Sequence, residues 1–132
     1  MKLGQARVLI AGPEKESRIL AKSIHGSLGA GIVDVASSSR EAFHAIDTHA
    51  QTLGVDIIVT APRLPDDTTA QELVNHADEK APRTVPSVLL YSSVHDELDA
   101  GKRAIPGAEI LLNPFELRDF KKKLHDLANR RG

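Results

Sequence analysis

The stretch Val55-Asp56-Ile57-Ile58-Val59-Thr60 decides the fold, because Val and Ile fill it almost without interruption. Such a short apolar run is typical of a β-strand that is buried on both faces, as in a parallel sheet. Three other stretches have the same character. They are Arg7–Ala11, Ser87–Tyr91 and Glu109–Leu112. A fifth stretch, Gly31–Ala36, begins to alternate apolar and polar residues, which indicates a strand at a sheet edge.

Segments with helical spacing of apolar residues follow each of these stretches. They are Glu14–Leu28, Ser38–Leu53, Thr68–Lys80, Val94–Ala104 and Phe115–Asn129. The residues expected on their apolar faces include Ile19, Leu20, Ile24 and Leu28, then Phe43, Ile46 and Leu53, then Leu98, and finally Leu117, Phe120, Leu124 and Leu127. Each segment therefore has a face that can cover a sheet.

Helix-capping signals accompany three of the segments. Ser38 precedes Glu41 by three residues, the spacing of a capping box. Asp66 and Asp67 are expected to cap Thr68–Lys80 and to complement its dipole rather than to bind a metal. Ser92 and Ser93 are expected to cap Val94–Ala104 in the same way.

Strand and helix alternate along the whole chain, which predicts an α/β fold. Right-handed crossovers then give a five-stranded parallel sheet of the doubly wound type, in the order 2-1-3-4-5. We expect five helices, with two on one face of the sheet and three on the other. Residues 1–132 are predicted to form a single domain, with 129–132 as a tail or as the linker into a longer regulator.

Composition excludes several classes of protein. The 132-residue chain has 3% aromatic residues, so Val, Ile, Leu and Ala must form its core. Its formal net charge of −1 gives no reason to expect direct nucleic-acid binding, and Lys121–Lys123 reads as a solvated helix face. Without cysteine there is no disulfide and no thiol catalysis. No apolar run approaches the ~20 residues of a membrane helix, so we expect a cytoplasmic protein without membrane contact.

Ligands of doubly wound sheets bind at the carboxyl ends of the strands. In this sequence those positions are Gly12-Pro13-Glu14, Ala61-Pro62-Arg63, Ser92-Ser93 and Asn113-Pro114. No nucleophile and base can be paired among them, so the chain is not expected to be an enzyme. The six histidines have no pair at an i, i+4 spacing, which argues against a zinc site. We therefore expect no metal and no cofactor.

Four local patterns resemble a known family when they are taken together and in order. They are VLIAGPE at 8–14, DIIVTAPRLPD at 56–66, PSVLLYS at 86–92 and GAEILLNPF at 107–115. In this order they are similar to the first strand, the third strand with its following loop and proline, the fourth strand, and the fifth strand with its Lys-Pro turn of response-regulator receiver domains, the CheY-like family. The resemblance covers nearly the whole chain, and it implies a cis peptide after Asn113.

The acidic phosphorylation site of that family is absent at the matching positions. The resemblance places the acidic pair that holds Mg²⁺ at Gly12 and Pro13, and the phosphoacceptor aspartate at Ala61. The Ser/Thr that reads the phosphoryl group falls on Tyr91, and the lysine falls on Asn113. Without a carboxylate at position 61 there is no nucleophile for phosphoryl transfer. The resemblance thus implies a degenerate receiver, or pseudo-receiver.

One further position of that site has changed. The switch aromatic of the family falls on Ile110. Tyr91, the only tyrosine of the chain, either fills the volume vacated by the lost site or serves as an interaction anchor, and we favour the first interpretation.

The leading functional hypothesis is a phosphorylation-independent module that binds a protein partner, such as a regulator, a kinase or an output domain, or that forms a homodimer. The expected face consists of Val94–Ala104, the fifth strand and Phe115–Asn129, with six candidate contact residues. These are His95, Leu98, Arg103, Ile110, Phe115 and Lys122. In one alternative, the former site binds a small anion or a nucleotide through Gly12, Arg63, Ser92, Ser93 and Asn113. In another, the chain is the regulatory amino-terminal domain of a longer DNA-binding or enzymatic protein.

Overall fold

A computed structural model describes residues 3–28, 32–52 and 54–130. Five strands form one parallel sheet in the order β2-β1-β3-β4-β5, which confirms the predicted doubly wound α/β fold. The strands are β1 (Arg7–Ala11), β2 (Ile32–Ala36), β3 (Ile57–Thr60), β4 (Ser87–Ser92) and β5 (Glu109–Leu112). Gly31 and Leu53, expected in a strand and in the core, lie outside the described residues, as does the side chain of Leu28.

Five α-helices follow the strands, as the spacing predicts. They are α1 (Glu14–Leu28), α2 (Ser39–Ala50), α3 (Ala70–Lys80), α4 (His95–Ala104) and α5 (Leu117–Arg130), and a short 3₁₀ turn at Leu3–Gln5 precedes β1. Because α5 continues through Arg130, residues 129 and 130 are helical rather than part of a tail. In the part of the chain that the structure describes, no helix is both long enough and apolar enough to cross a membrane.

The sheet is covered on both faces because alternate strand residues point to opposite sides. Val8, Ile10 and Val59 pack on one face with the apolar residues of α1 and α5. Leu9 and Ile58 pack on the other face with α2 and α3, and α4 covers β4 and β5 on that same side. The structure thus places two helices on one face and three on the other, as predicted.

Three predictions about individual apolar residues are wrong or incomplete. Ile19 is 51% exposed, because its neighbour Leu20 takes the inward position on α1. Leu117 is 45% exposed, since it lies in the first turn of α5, beyond the end of β5. Leu98, expected both as an apolar residue of its helix and as a contact residue of the interaction face, is 1% exposed and packs in the core.

The helix starts agree only in part with the predicted caps. Ser38 is the N-cap of α2, and its hydroxyl accepts a hydrogen bond from the Glu41 amide, as predicted. The predicted cap of α3 by Asp66 is wrong, because Thr69 forms a complete capping box with Glu72. Asp66 instead accepts a hydrogen bond from the amide of Ser39, the first residue of α2, at 2.8 Å.

The predicted cap of α4 is also wrong. Val94 is its N-cap residue and provides no side-chain bond. The hydroxyl of Ser92 accepts from the amide of Val94 at 3.0 Å and donates to the carboxylate of Glu97 at 3.1 Å. Ser92 thereby orders the turn before α4 without capping the helix itself.

The amino edge of the sheet carries a buried ion pair between Arg7 and Asp56. Arg7 begins β1, and Asp56 directly precedes β3. The Asp56 carboxylate is 3.3 Å from the Arg7 guanidinium and accepts the Arg7 amide at 2.9 Å. The guanidinium also donates to the Gly54 carbonyl at 2.6 Å. With Asp56 only 1% exposed, the charge is buried but fully compensated.

Candidate functional site at the carboxyl edge of the sheet

The carboxyl ends of β1, β3, β4 and β5 meet at one edge, as their register requires. Ala61 donates its amide to the Ala11 carbonyl, and Asn113 donates its amide to the Ser92 carbonyl. The peptide between Asn113 and Pro114 is cis, as the resemblance implies. A depression of about 310 Å³, here called the strand-end cleft, opens at this edge. Of the predicted site residues, the cleft is lined by Pro13, Ala61, Arg63, Tyr91, Ser92, Ser93 and Asn113.

Gly12 is buried beneath the side chain of Tyr91. A Cβ atom placed on Gly12 would lie 2.1 Å from the Tyr91 hydroxyl oxygen and 3.2 Å from its Cζ atom. These distances are too short for any side chain at position 12 while Tyr91 keeps its position. The tyrosine hydroxyl therefore fills the space into which a side chain from the end of β1 would project.

The Tyr91 hydroxyl is buried and lacks a partner. The residue is 2% exposed, and burial raises the pKa of its phenol to about 12, with a further contribution from the negative charge of Glu16. The nearby Ser17 hydroxyl opposes this rise in pKa, but the two groups do not reach hydrogen-bonding geometry. Each hydroxyl is thus left without a partner, which costs about 1–3 kcal/mol per buried group.

The charges around the strand-end cleft are mixed. Among the residues that the structure describes, Arg63 is the single cationic residue that lines the cleft. Its side chain is 59% exposed, and its guanidinium donates to the Asp67 carbonyl at 3.3 Å. Glu16 and Glu97 line the same cleft, so its walls carry more negative than positive charge. This balance does not favour an anion.

The lining does not fit the Mg²⁺ ion that the family resemblance implies. Hard divalent cations take several oxygen ligands, with carboxylates foremost. Gly12, Pro13 and Ala61 offer no side-chain oxygen, and the Tyr91 hydroxyl occupies the space beside Gly12. We therefore derive no chemical step through a metal at this edge.

A separate group of possible metal ligands lies on the surface of α4, where the sequence analysis expected none. His95, Asp96 and Asp99 present ligand atoms within 4.8 Å of one another. The His95 ring and the Asp99 carboxylate already pair at 3.1 Å. The spacing argument against a metal site concerned pairs of histidines alone, whereas this cluster combines one histidine with two aspartates. Its position in the first turns of a helix places it at the positive end of the helix dipole, which disfavours a cation.

A second depression, the side cleft, was not predicted from the sequence. It has a volume of about 450 Å³ and lies between α1 and the turn that joins β5 to α5. Its apolar walls are formed by Ile19, Leu20, Pro114 and Phe115. Glu16 and Tyr91 line both clefts, so the two depressions are neighbours. The feature that indicates this cleft is the half-exposed side chain of Ile19 on α1. That exposure can be seen only in the structure.

The predicted interaction face divides into exposed and covered residues. His95, Arg103 and Lys122 are exposed, whereas Ile110 and Phe115 are half-buried. Leu98 is buried and cannot contact a partner, which corrects the prediction. The structure adds large exposed apolar side chains on or beside the same three elements. These are Val94, Leu112 and Leu117.

No protein-family profile matches the chain, and no curated protein matches it. Solved structures, by contrast, share its fold over nearly the whole length. A response regulator receiver protein from Sinorhizobium medicae superimposes with a TM-score of 0.77 at 19% identity, covering 98% of this chain and 99% of the other. A receiver domain protein from Clostridium thermocellum gives 0.73 at 20% identity and 96% coverage of both chains.

The chemotaxis protein CheY4 of Vibrio cholerae gives a TM-score of 0.72 at 19% identity, covering 93% of this chain and 98% of that one. The structure of an adenylate cyclase from Rhodopirellula baltica is also similar, with a TM-score of 0.70 at 18% identity, covering 96% of this chain and 94% of that one. At these identities the comparisons establish a receiver-like fold.

Proposed function

We propose that this chain is a phosphorylation-independent pseudo-receiver, which acts in signalling by binding a protein partner. The single observation that carries the proposal is the 2.1 Å separation between the Tyr91 hydroxyl oxygen and a Cβ atom placed on Gly12. The position where the resemblance expects an acidic side chain is thus filled by a phenol. Ala61 supplies no nucleophile, and Gly12 and Pro13 supply no carboxylate, so the positions that hold the metal and accept the phosphoryl group in the family lack the required side chains.

Small-anion or nucleotide binding receives less support. Arg63 is exposed and directed toward Asp67, and Glu16 and Glu97 give the cleft a negative balance. An anion there would meet more repulsion than attraction. Of the two alternatives from the sequence, this one is not favoured, and a role as the regulatory domain of a longer protein stays a prediction.

The surface of α4, β5 and α5 is the face we propose for the partner. Val94, Leu112 and Leu117 are each close to half exposed, and exposed apolar side chains grouped on one face favour protein contact. Arg103 and Lys122 add positive charge around them. A partner with an apolar centre and an acidic rim complements this surface.

The first experiment tests the loss of phosphoryl chemistry. Beryllofluoride and Mg²⁺ are titrated into the labelled protein while amide resonances are followed by NMR. We expect no saturable shift around Ala61, because no carboxylate lies there. A variant that combines Gly12→Asp, Pro13→Asp, Ala61→Asp, Tyr91→Thr and Asn113→Lys serves as the positive control, since it restores the matching groups. Saturable shifts in the unaltered chain would overturn the proposal.

The second experiment tests the face. The Leu112→Glu variant, the Leu117→Glu variant and the unaltered chain are each used as bait in a pull-down experiment. Sedimentation measures the self-association of each of these proteins. Ile32→Glu is the matched control, because Ile32 is 48% exposed on β2, at the opposite edge of the sheet. We expect the two face variants to lose the partner, or the dimer, that the control retains. Equal retention by all variants contradicts the proposed face.

A further inference from the structure

We infer that the side cleft is a binding site for a small apolar molecule that carries one cationic amine. This site differs from the proposed partner face and also from the anionic ligand considered for the strand-end cleft. The argument rests on the shape of the cleft, on its apolar walls, and on the sign of its charge.

The shape and the walls of the cleft suit a small organic molecule. Its volume of about 450 Å³ falls within the ~300–1,000 Å³ that ligand pockets usually span. Four of its lining residues are apolar, and one of them, Ile19, is 51% exposed in the free protein. An apolar body placed between α1 and Phe115 would remove that side chain from water, which is favourable.

The aromatic side chain of Tyr91 adds to the wall of the cleft. Its hydroxyl lies against Gly12 and close to Ser17, neither of which lines the cleft, so the hydroxyl is not a contact of the ligand. The ring can pack against the apolar body of the ligand.

The charge of the cleft selects the ligand class. Within residues 3–28, 32–52 and 54–130, Glu16 is the only residue lining the cleft that is charged at neutral pH, and no Lys or Arg lines it. In the described part of the chain, none of the ion pairs involves Glu16, whereas Glu14 on the same helix pairs with Arg18. Its negative charge also contributes to the raised pKa of Tyr91, so the field of this carboxylate reaches the phenol. An ammonium group complements such a site, and a carboxylate or phosphate does not.

The test compares three probes of one shape: phenethylamine, the neutral phenethyl alcohol and the anionic phenylacetate. Each is titrated to millimolar concentration while amide and methyl resonances are followed by NMR. We expect the amine to give saturable shifts at Ile19, Leu20 and Phe115, the alcohol to bind roughly fivefold more weakly, and the anion to bind weakest.

Variants separate the charge from the walls. Glu16→Gln is expected to weaken the amine roughly fivefold and to leave the alcohol unchanged. Glu14→Gln is the matched control, exposed on the same helix and outside the cleft, and is expected to change neither probe. Phe115→Ala is expected to weaken both probes. The dispersion of the amide spectrum verifies that each variant is folded.

Three results would overturn the inference: no saturable shift with the amine, shifts confined to residues outside the side cleft, or phenylacetate binding as tightly as phenethylamine. The partner face shares Phe115 with the cleft, but Leu112 and Leu117, the residues changed to test that face, do not line the cleft, so the two proposals can fail separately.

Discussion

The two edges of the sheet differ in whether their buried polar groups have hydrogen-bond partners. At the amino edge, Asp56 is buried but meets the Arg7 guanidinium and the Arg7 amide. At the carboxyl edge, the hydroxyls of Tyr91 and Ser17 are buried with no partner. A fully compensated charge holds β1 and β3 together, whereas uncompensated hydroxyls weaken the structure around them. The difference predicts that removing a polar group costs stability at the amino edge and does not at the carboxyl edge.

The largest expected effect concerns the amino edge. Asp56→Ala removes the carboxylate that pairs with the Arg7 guanidinium and accepts the Arg7 amide, and we expect a loss of about 3–5 kcal/mol in the free energy of unfolding. Urea denaturation measures it. Glu14→Ala is the control, because the Glu14–Arg18 pair is exposed and its loss should cost less than about 1 kcal/mol. Similar losses of unfolding free energy in Asp56→Ala and Glu14→Ala would contradict the contrast between the edges.

The next effect concerns the contact of Gly12 with Tyr91. Gly12→Ala forces a methyl group against the tyrosine hydroxyl, and we expect a loss of about 1–3 kcal/mol. In a Tyr91→Phe background the closest atom is gone, so the cost should fall by at least half. A double-mutant cycle measured by urea denaturation gives this coupling. If the losses of the two single variants are additive, the requirement for glycine at position 12 does not depend on the Tyr91 hydroxyl.

A smaller effect of opposite sign is expected for Tyr91→Phe alone. The change removes a buried hydroxyl that has no partner and keeps the aromatic ring in the core, so stability should rise by about 1 kcal/mol. The midpoint of urea unfolding measures the gain. A loss of stability would mean that the hydroxyl is bonded in solution, and it would bring the carboxyl edge closer in character to the amino edge.

The smallest effect concerns Glu109 on β5. This residue belongs to neither of the buried polar groups compared above. Arg130 of α5 holds the pKa of this carboxyl below its usual value, and Lys123 adds to the effect. Because the pKa is lower in the folded than in the unfolded protein, the stabilisation is complete above the unfolded pKa of about 4.3 and is lost as the pH falls through the folded value. We expect Glu109→Gln to cost about 1 kcal/mol or less at pH 7 and nothing at strongly acidic pH, measured by urea unfolding across pH. A pH-independent loss would contradict this assignment.

Most of the fold could be predicted from the sequence because it depends on periodicity. The runs Arg7–Ala11 and Glu109–Leu112 match β1 and β5 without correction, and the strand order follows from the short connections and crossover handedness. The boundaries of α3 and α5 differ from prediction, since capping geometry rather than apolar spacing sets the first residue of a helix.

The candidate site could be predicted only as a set of positions. Gly12, Ala61 and Asn113 come together because parallel strands end at one edge, which topology alone ensures. The contact between Gly12 and Tyr91 depends on the rotamer of one side chain, and the side cleft depends on which face of α1 turns outward. Neither feature follows from a local sequence pattern, so both can be recognised only in the three-dimensional structure.

The hydrogen bond that the Ser39 amide, the first of α2, donates to the Asp66 carboxylate has a consequence for motion. Asp66 also accepts from the Thr68 amide, and these bonds lower the pKa of its carboxyl to about 2, so the group stays ionised at every physiological pH. The loop after β3 and the start of α2 are therefore joined by the same anion. In hydrogen exchange, the amides of Ser39 and Thr68 should open together, and the loop cannot rearrange without releasing the end of a neighbouring helix.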